Sequence, residues 1–537
     1  MSKDGKVLQS NSLSVQKKDM IKLTGVMSFA IIIGKVFSIP SAIITAKLLG
    51  PSLFGVLAIL NLIIQYAGYT HMGLLQSLSR DVPIAYGKGD KREAKLIKDT
   101  VYTGFTILSA FAVLALWILF ISGVTFKGVL DFPVLILISL ILIANRVISF
   151  LKSYIKAEGK FMIIGRLNLI IKFFTPILNI PAVILFRLKG VLFALLLTEA
   201  ISVAYCLIRL KKPKFHFRLK IRKTLQLLKT GSLIFINKIS DGIFWSVDLM
   251  ILTAMMSTSY VGLYSIAMSV MGVVLPFSQA INMTVYRKMM VDGGKFGVAS
   301  KKHFRKYTEG LFACHLLFNS LALGFSILIY TVIIKTILIK YIDSLPIIII
   351  LGFGYMIYTS RLFLSFYLNI TNQLGKRLVI ILSALGLNAI LDYFLIVKGY
   401  GLKGVAFACS FSFLLISVLI IGISFKQIYG TLKSAFSIIF KICSISAILM
   451  GIISAFSRWE VIEYTSRLGI YSKVLWGMAD LTVKGFIFSL VCVGIYFLFF
   501  RKYQLYKELK PIISYAWYSF TNRLKKGKKA VYEGEYE

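Results

Sequence analysis

Apolar runs of about 20 residues, separated by short polar stretches rich in Lys and Arg, recur from residue 24 to residue 500. A helix rising 1.5 Å per residue needs roughly 20 apolar residues to cross a hydrocarbon core about 30 Å thick. The pattern predicts spans at 24–46, 54–78, 100–122, 132–151, 165–186, 190–208 and 231–255. It continues with 261–284, 309–334, 345–368, 377–397, 403–425, 435–456 and 484–500. No polar stretch is long enough to bury a core of its own, so these fourteen helices predict an all-α integral membrane protein.

Composition agrees: 58% of the 537 residues are hydrophobic, 16% are charged and mean hydropathy is +0.81. These values exclude an ordinary soluble globular chain and a disordered one. A net charge of +40 would suggest nucleic acid in a soluble protein, but here the cations lie between apolar runs and no nucleic-acid partner is expected. Of the 62 Lys and Arg residues, 45 fall on the N-terminus, the loops after even-numbered spans and the C-terminal tail, and 12 on the opposite loops. Cations concentrate on the cytoplasmic side, so the asymmetry places both termini in the cytoplasm and the protein in the plasma or inner membrane. The first 20 residues are polar and hold no cleavable apolar core, which makes the first helix the insertion signal. All five Cys lie in apolar runs without CxxC spacing and read as small core residues.

Three segments repeat. LKGVLFA at 188–194 returns as LKGVAFA at 402–408, identical at six of seven positions. Lys22-Leu-Thr-Gly25 returns as Lys229-Thr-Gly231, and FGVL at 54–57 resembles VGLY at 261–264. The offsets of about 206 to 214 residues span six helices, an even number, so the copies share one orientation. This predicts two six-helix lobes as parallel pseudo-repeats plus two C-terminal helices, a transporter design. The organisation becomes a cytoplasmic segment 1–23, an N-lobe 24–208, a basic linker 209–230, a C-lobe 231–425, two further helices within 426–500 and a cytoplasmic tail 501–537. The linker either lies along the anionic inner leaflet with its Phe and Leu residues in the interface, or is a solvated loop.

A charge deep in a span costs roughly 2.5 to 3.5 kcal/mol on insertion scales, so it should face a cavity or a partner. Five cations qualify: Lys35, Arg146, Lys172, Lys238 and Arg361. They are expected mostly to line one water-accessible cleft. The buried acids are Glu199, Asp241, Asp248 and Asp392, candidates for ion coupling with H+ or Na+. Lys238, Asp241, Trp245 and Asp248 fall at i, i+3, i+7 and i+10, one stripe of a continuous helix, with Lys238 and Asp241 able to neutralise each other. Lys35 and Asp241 each lie ten residues beyond a repeated glycine, which allows a contact across the cleft. Asn168, Lys172 and Pro176 form a second stripe, and Tyr358, Arg361 and Ser365 a third. Arg presents a planar fork suited to phosphate, although structural pairing or snorkelling accounts for any single cation equally well. Neutralising Arg146 or Arg361 is expected to leave folding intact, and removing Lys238 to disturb it. Four His with no HxxxH give no metal constellation, and no P-loop, nucleophile elbow or paired-carboxylate site is present. No cofactor and no enzymatic activity are expected. Transport would run on an ion gradient, the membrane potential or the substrate gradient.

KLLGPSLFGVLAI at 47–59 resembles a motif of polysaccharide-export flippases in the multidrug/oligosaccharidyl-lipid/polysaccharide (MOP) exporter superfamily. GLLQSLSRDVPIAYGKGDKREA at 73–94 is similar to the end of helix 2 and the next cytoplasmic loop of O-antigen and related oligosaccharide flippases. GLNAILDYFLIVKGYGLKGVAFA at 386–408 looks like the family's helix 11–12 region. With topology, the resemblance covers about the first 425 residues. It implies translocation of a polyprenyl-(pyro)phosphate-linked oligosaccharide to the outer leaflet by alternating access, for cell-surface polysaccharide biosynthesis. Cleft cations would hold the (pyro)phosphate while the tail stays in lipid, and other polysaccharide-assembly proteins are candidate partners. Fourteen helices are also usual among lipid II flippases of the same superfamily. A multidrug or cation antiporter would predict an acidic, aromatic cavity, and a glycan polymerase or ligase a large outer loop. A non-transporting membrane scaffold would lack a hydrated cleft.

Overall fold

A computed structural model describes residues 34, 37–123, 131–210, 213, 215–218, 220–275, 278, 301–371, 373–459 and 470–500. Lys35, segment 1–23, the first KLTG copy and tail 501–537 lie outside the described residues. Helix is the regular structure throughout the described chain. In order these are α1 (Phe37–His71), α2 (Leu74–Gly87), α3 (Lys91–Ile121), α4 (Phe132–Ala157) and α5 (Phe161–Arg209). They continue as α6 (Ile221–Phe244), α7 (Val247–Met255), α8 (Thr258–Leu275), α9 (Lys301–Thr336) and α10 (Ser344–Ser360). The last are α11 (Leu362–Ile370), α12 (Leu374–Val397), α13 (Gly401–Tyr429), α14 (Leu432–Arg458) and α15 (Ile470–Phe500).

Ten helices among the described residues are long and apolar enough to cross a membrane, so the protein is a multi-pass membrane protein. The expected fourteen differ from ten at identifiable places. α1 runs through two expected spans and is interrupted only by Gly50, left-handed at φ +69°, followed by Pro51. α5 likewise holds two, joined across a kink at Arg187, where φ is 50° and ψ −125°. The expected span 231–255 is cut into α6 and α7 by the turn Trp245–Ser246, and 345–368 into α10 and α11 at Arg361. α15 starts at Ile470, inside what hydropathy places in an outer loop, because Asp480 and Lys484 pair within one turn at 2.7 Å and enter the helix as a buried ion pair. Lys484 also donates to the Trp459 carbonyl.

The chain packs as two compact units. The first contains the described residues up to Ser269 with Ile333–Ile348 and Ile381–Cys409. The second contains Val270–Val332, Ile349–Ile380 and the described chain from Ser410. In the first unit a core of fully buried Leu78, Val101, Ile155 and Leu167 joins α2, α3, α4 and α5. Caps set the entries to the helices: Asp90 accepts from Glu93 N–H at 2.8 Å, and Asp131 from Val134 N–H at 3.0 Å. In the second unit, Gly324 of α9 admits the ring of Phe488 of α15, which a Cβ at that glycine would meet at 2.0 Å.

α1 and α8 cross at a reciprocal contact within the first unit. A Cβ on Gly55 would sit 1.8 Å from the Thr258 carbonyl oxygen, and one on Gly262 would sit 1.9 Å from that of Pro51. Gly55 and Gly262, like Pro51 and Thr258, are 207 residues apart, and Ser52 Oγ lies 3.0 Å from Thr258 Oγ1. Only glycine lets the two backbones approach this closely.

The linker docks inward at several points. Phe215 enters a cage of Tyr102, Phe150 and Tyr154, with ring centroids 5.2, 5.0 and 5.1 Å away. Buried Asp99 accepts from His216 N–H at 3.1 Å, and Thr103 Oγ1 from Arg218 N–H at 2.8 Å. Lys223 pairs with Glu93, and Ser77 donates to the Leu227 carbonyl. The expectation that the linker's Phe and Leu residues all face the lipid interface is therefore corrected for Phe215 and Leu227. An aromatic cage and backbone partners were available in α2, α3 and α4.

Candidate functional site

Two polar clusters lie inside the first unit. The first is cationic. On α4, Asn145, Lys152 and Lys156 stand at i, i+7 and i+11 and share a face. The Lys152 charge is close enough to act on Glu199 and Lys172, and Lys156 on both Lys152 and Lys238. The cluster thus draws Lys152 and Lys156 from α4, Lys172 and Glu199 from α5 and Lys238 from α6. Glu199 Oε1 accepts from Asn145 Nδ2 at 3.2 Å, and its buried Oε2 has no partner among the described residues. Lys172 and Lys238 are exposed, and among the described residues neither makes an ion pair. The stem of Lys172 packs over Gly34, whose Cβ would meet it at 2.8 Å. Sequence reading ended the fourth span at residue 151 and left Lys152 and Lys156 in a loop. The helical period of α4 continues two turns further, to Ala157.

Arg146 occupies a different position from Lys172 and Lys238. It is 4% exposed and its guanidinium donates to the Gly68 carbonyl at 2.9 Å and to Thr70 Oγ1 at 3.2 Å, above the Phe105 ring. The Gly68 carbonyl belongs to the last turn of α1, and Thr70 Oγ1 itself donates to the Ala67 carbonyl, so Arg146 closes a helix terminus. Arg361 lies in the second unit, 2% exposed, with its guanidinium 4.3 Å from the Tyr358 ring centroid and donating to Ser365 Oγ at 3.0 Å. The Tyr358–Arg361–Ser365 stripe is present, bent around the turn between α10 and α11.

The stripe expected through Lys238, Asp241 and Asp248 is not formed. α6 ends at Phe244, Trp245 and Ser246 turn, and α7 carries Asp248 into the core at 2% exposed while Lys238 stays exposed. Among the described residues no ion pair joins Lys238 to Asp241. An intrahelical pair worth only ~0.2 to 0.5 kcal/mol does not hold a long exposed stem back against its helix. α1 supports the break: Tyr66 Oη lies 2.6 Å from Ser246 Oγ, and Gly242 leaves room for the Tyr69 hydroxyl.

The second cluster surrounds Asp248. Its carboxylate accepts from the Tyr264 hydroxyl of α8 and from Asn388 Nδ2 of α12, and the Cys409 thiol of α13 lies beside it. Asp392, one turn from Asn388, adjoins Asp248, is 0% exposed, and neither of its carboxylate oxygens accepts a hydrogen bond among the described residues. One buried carboxylate is thus surrounded by donors while its neighbour has none. Such a pair needs a cation or a proton to compensate its charge. The sequence marks Asp392 and Asp248 as buried acids, but gives Tyr264 only as part of a repeat and Cys409 only as a core residue. Among the described residues no three His, Cys, Asp or Glu side chains gather to hold a metal ion.

A family model for polysaccharide biosynthesis proteins matches residues 20–293, just over half of the chain. The chain belongs to the polysaccharide biosynthesis protein family. No curated protein matches it. Among solved structures, a lipid II flippase MurJ in an inward closed conformation is similar at 16% identity and a TM-score of 0.60. That match covers 88% of this chain and 100% of the other. An inward-facing multidrug resistance MATE family transporter of the MOP superfamily is similar at 13% identity and a TM-score of 0.53, covering 77% and 96%. A MOP superfamily transporter from Pyrococcus furiosus, described as having a binding pocket of reverse polarity, is similar at 13% and 0.52, covering 77% and 96%. At these identities the likeness concerns the fold, which this polysaccharide biosynthesis family member shares with MOP transporters.

Proposed function

We propose that the protein is a flippase rather than an enzyme, moving a polyprenyl-(pyro)phosphate-linked oligosaccharide from the inner to the outer leaflet by alternating access. The observation that carries this reading is the chain of neighbouring cations Lys172, Lys152, Lys156 and Lys238, with Glu199 beside Lys152 as its acid, in a member of a polysaccharide biosynthesis family. An excess of cations in an otherwise apolar environment suits a (pyro)phosphate, and Glu199 with Asn145 offers hydrogen-bond partners for sugar hydroxyls. A multidrug cation would meet repulsion there. Arg361 is a further headgroup candidate, with the ring of Tyr358 beneath it, and Lys35 keeps the role given by sequence.

Alternating access between two six-helix lobes, 24–208 and 231–425, is supported by the reciprocal Gly55/Thr258 and Gly262/Pro51 contacts, whose equivalent residues Gly55 and Gly262, and Pro51 and Thr258, stand at one repeat offset. Asp248 and Asp392 form the site for a coupling H+ or Na+, which their buried adjacency supports, and Asp241 remains a weaker candidate. Both termini would be cytoplasmic. The test is export of the lipid-linked glycan in cells carrying Lys172→Gln and Lys238→Gln, with protein abundance measured alongside. Each lost charged contact should cost about 1.5 to 3 kcal/mol of headgroup binding, roughly 10- to 150-fold. Normal export in the double variant at normal abundance would overturn the headgroup assignment.

A further inference from the structure

We infer that residues 215–218 and the start of α6 from Lys220 form a binding surface for anionic phospholipid of the bilayer. Ile221 and Leu225, one turn apart on α6, are 65 and 59% exposed, and Phe217, in the non-helical chain just before the helix, is 64% exposed. Their neighbours Arg218, Lys220, Arg222 and Lys229 are also exposed, and among the described residues none of the four makes an ion pair. The opposite face is held by the protein: Leu227 is buried, Lys223 is taken by Glu93, and Thr230 donates to Asp81 at 3.4 Å. The segment therefore cannot roll its apolar stripe inward.

A solvated loop has no use for three exposed apolar side chains within nine residues, and a helix within hydrocarbon would not carry four exposed cations. Both together fit the headgroup boundary of an anionic membrane, where apolar side chains insert and cations meet lipid phosphates. The lipid contact has a route to the cationic cluster. α6 is one continuous helix from Ile221 to Phe244, so the stripe is rigidly joined to Lys238, about 25 Å along the axis at 1.5 Å per residue. Anionic lipid held at the start of α6 fixes the height and rotation of that lysine.

The test is native mass spectrometry of the purified full-length protein with added phosphatidylglycerol or phosphatidylcholine, comparing wild type with Arg218→Gln/Lys220→Gln/Arg222→Gln. The expected result is selective retention of phosphatidylglycerol by the wild type and a loss on the order of 100-fold in the triple variant, from about fivefold per surface cation. Arg218→Lys/Arg222→Lys keeps the charge and should keep the lipid, which separates loss of binding from loss of fold. Equal retention of both lipids by the wild type, or unchanged retention by a folded triple variant, would overturn the inference. Neither outcome bears on the glycan assignment, since no transport is measured.

Discussion

Replacing Asp392 by Asn should make the protein more stable and less active. In the structure Asp392 has two buried oxygens without a donor and faces Asp248, which already has donors from Tyr264 and Asn388. Two carboxylate charges in contact repel by ~4 kcal/mol at an effective dielectric of about 20. On the proposed reading the native site avoids this by binding a cation or proton, and an amide would avoid it permanently. The Asn side chain also supplies an N–H to the charged Asp248, a hydrogen bond worth about 1.5 to 3 kcal/mol. Unfolding of the purified protein, followed in Na+ and in choline and at acid and neutral pH, reads the effect. Wild type should gain stability from Na+ or from acid, by ~2.7 kcal/mol at one hundred times the dissociation constant. Asp392→Asn should be about 1.5 to 3 kcal/mol more stable without the ion, respond to neither, and fail to export glycan. A variant that is destabilised, responds as wild type does and still exports would refute the reasoning and leave Asp392 a structural residue.

Ser52→Cys/Thr258→Cys should form a disulfide in oxidising conditions, since the native oxygens are 3.0 Å apart, and should block export until reduced; a crosslinked protein with full export would remove the α1–α8 crossing from the transport cycle. Arg146→Gln should lower abundance and the unfolding midpoint, because the Gly68 carbonyl and Thr70 hydroxyl lose a charged donor worth about 1.5 to 3 kcal/mol; wild-type stability would show that the pairing is incidental. Asp480→Asn leaves the buried Lys484 ammonium without its counter-charge and should cost about 3 to 5 kcal/mol, with Asp480→Leu/Lys484→Met recovering most of it in a thermal melt.

Much of the fold was legible because membrane spans are written in length and apolarity, and a helix satisfies its own backbone wherever it lies. What hydropathy could not register was where helices stop. Trp245 and Ser246 carry no Pro or Gly signal, so the break that sends Asp248 into the core looked like continuous helix. Asp480 reads as loop polarity because a window average cannot see its charge cancelled by Lys484 one turn on. At the sites, sequence found Lys172, Lys238, Asp248 and Asp392 by the rule that intramembrane charge needs a reason. It could not rank them, since partners such as Tyr264, Gly68 and Asn145 are distant in sequence or uncharged. Arg146 shows the difference: as a letter it equals Lys172, while in the structure its donors are committed to α1. Removal of Lys238 is now expected to spare folding, because the pair with Asp241 that made it look structural does not form.

The flippase reading is tested most directly by reconstituting the purified protein in proteoliposomes with the source cell's polyprenyl-linked oligosaccharide on one leaflet, and measuring exposure of sugar on the other with a membrane-impermeant lectin. The account predicts exposure well above protein-free vesicles, reduced at least tenfold by Lys172→Gln/Lys238→Gln at equal insertion. Exposure no greater than in protein-free vesicles, or undiminished in the double variant, would contradict it.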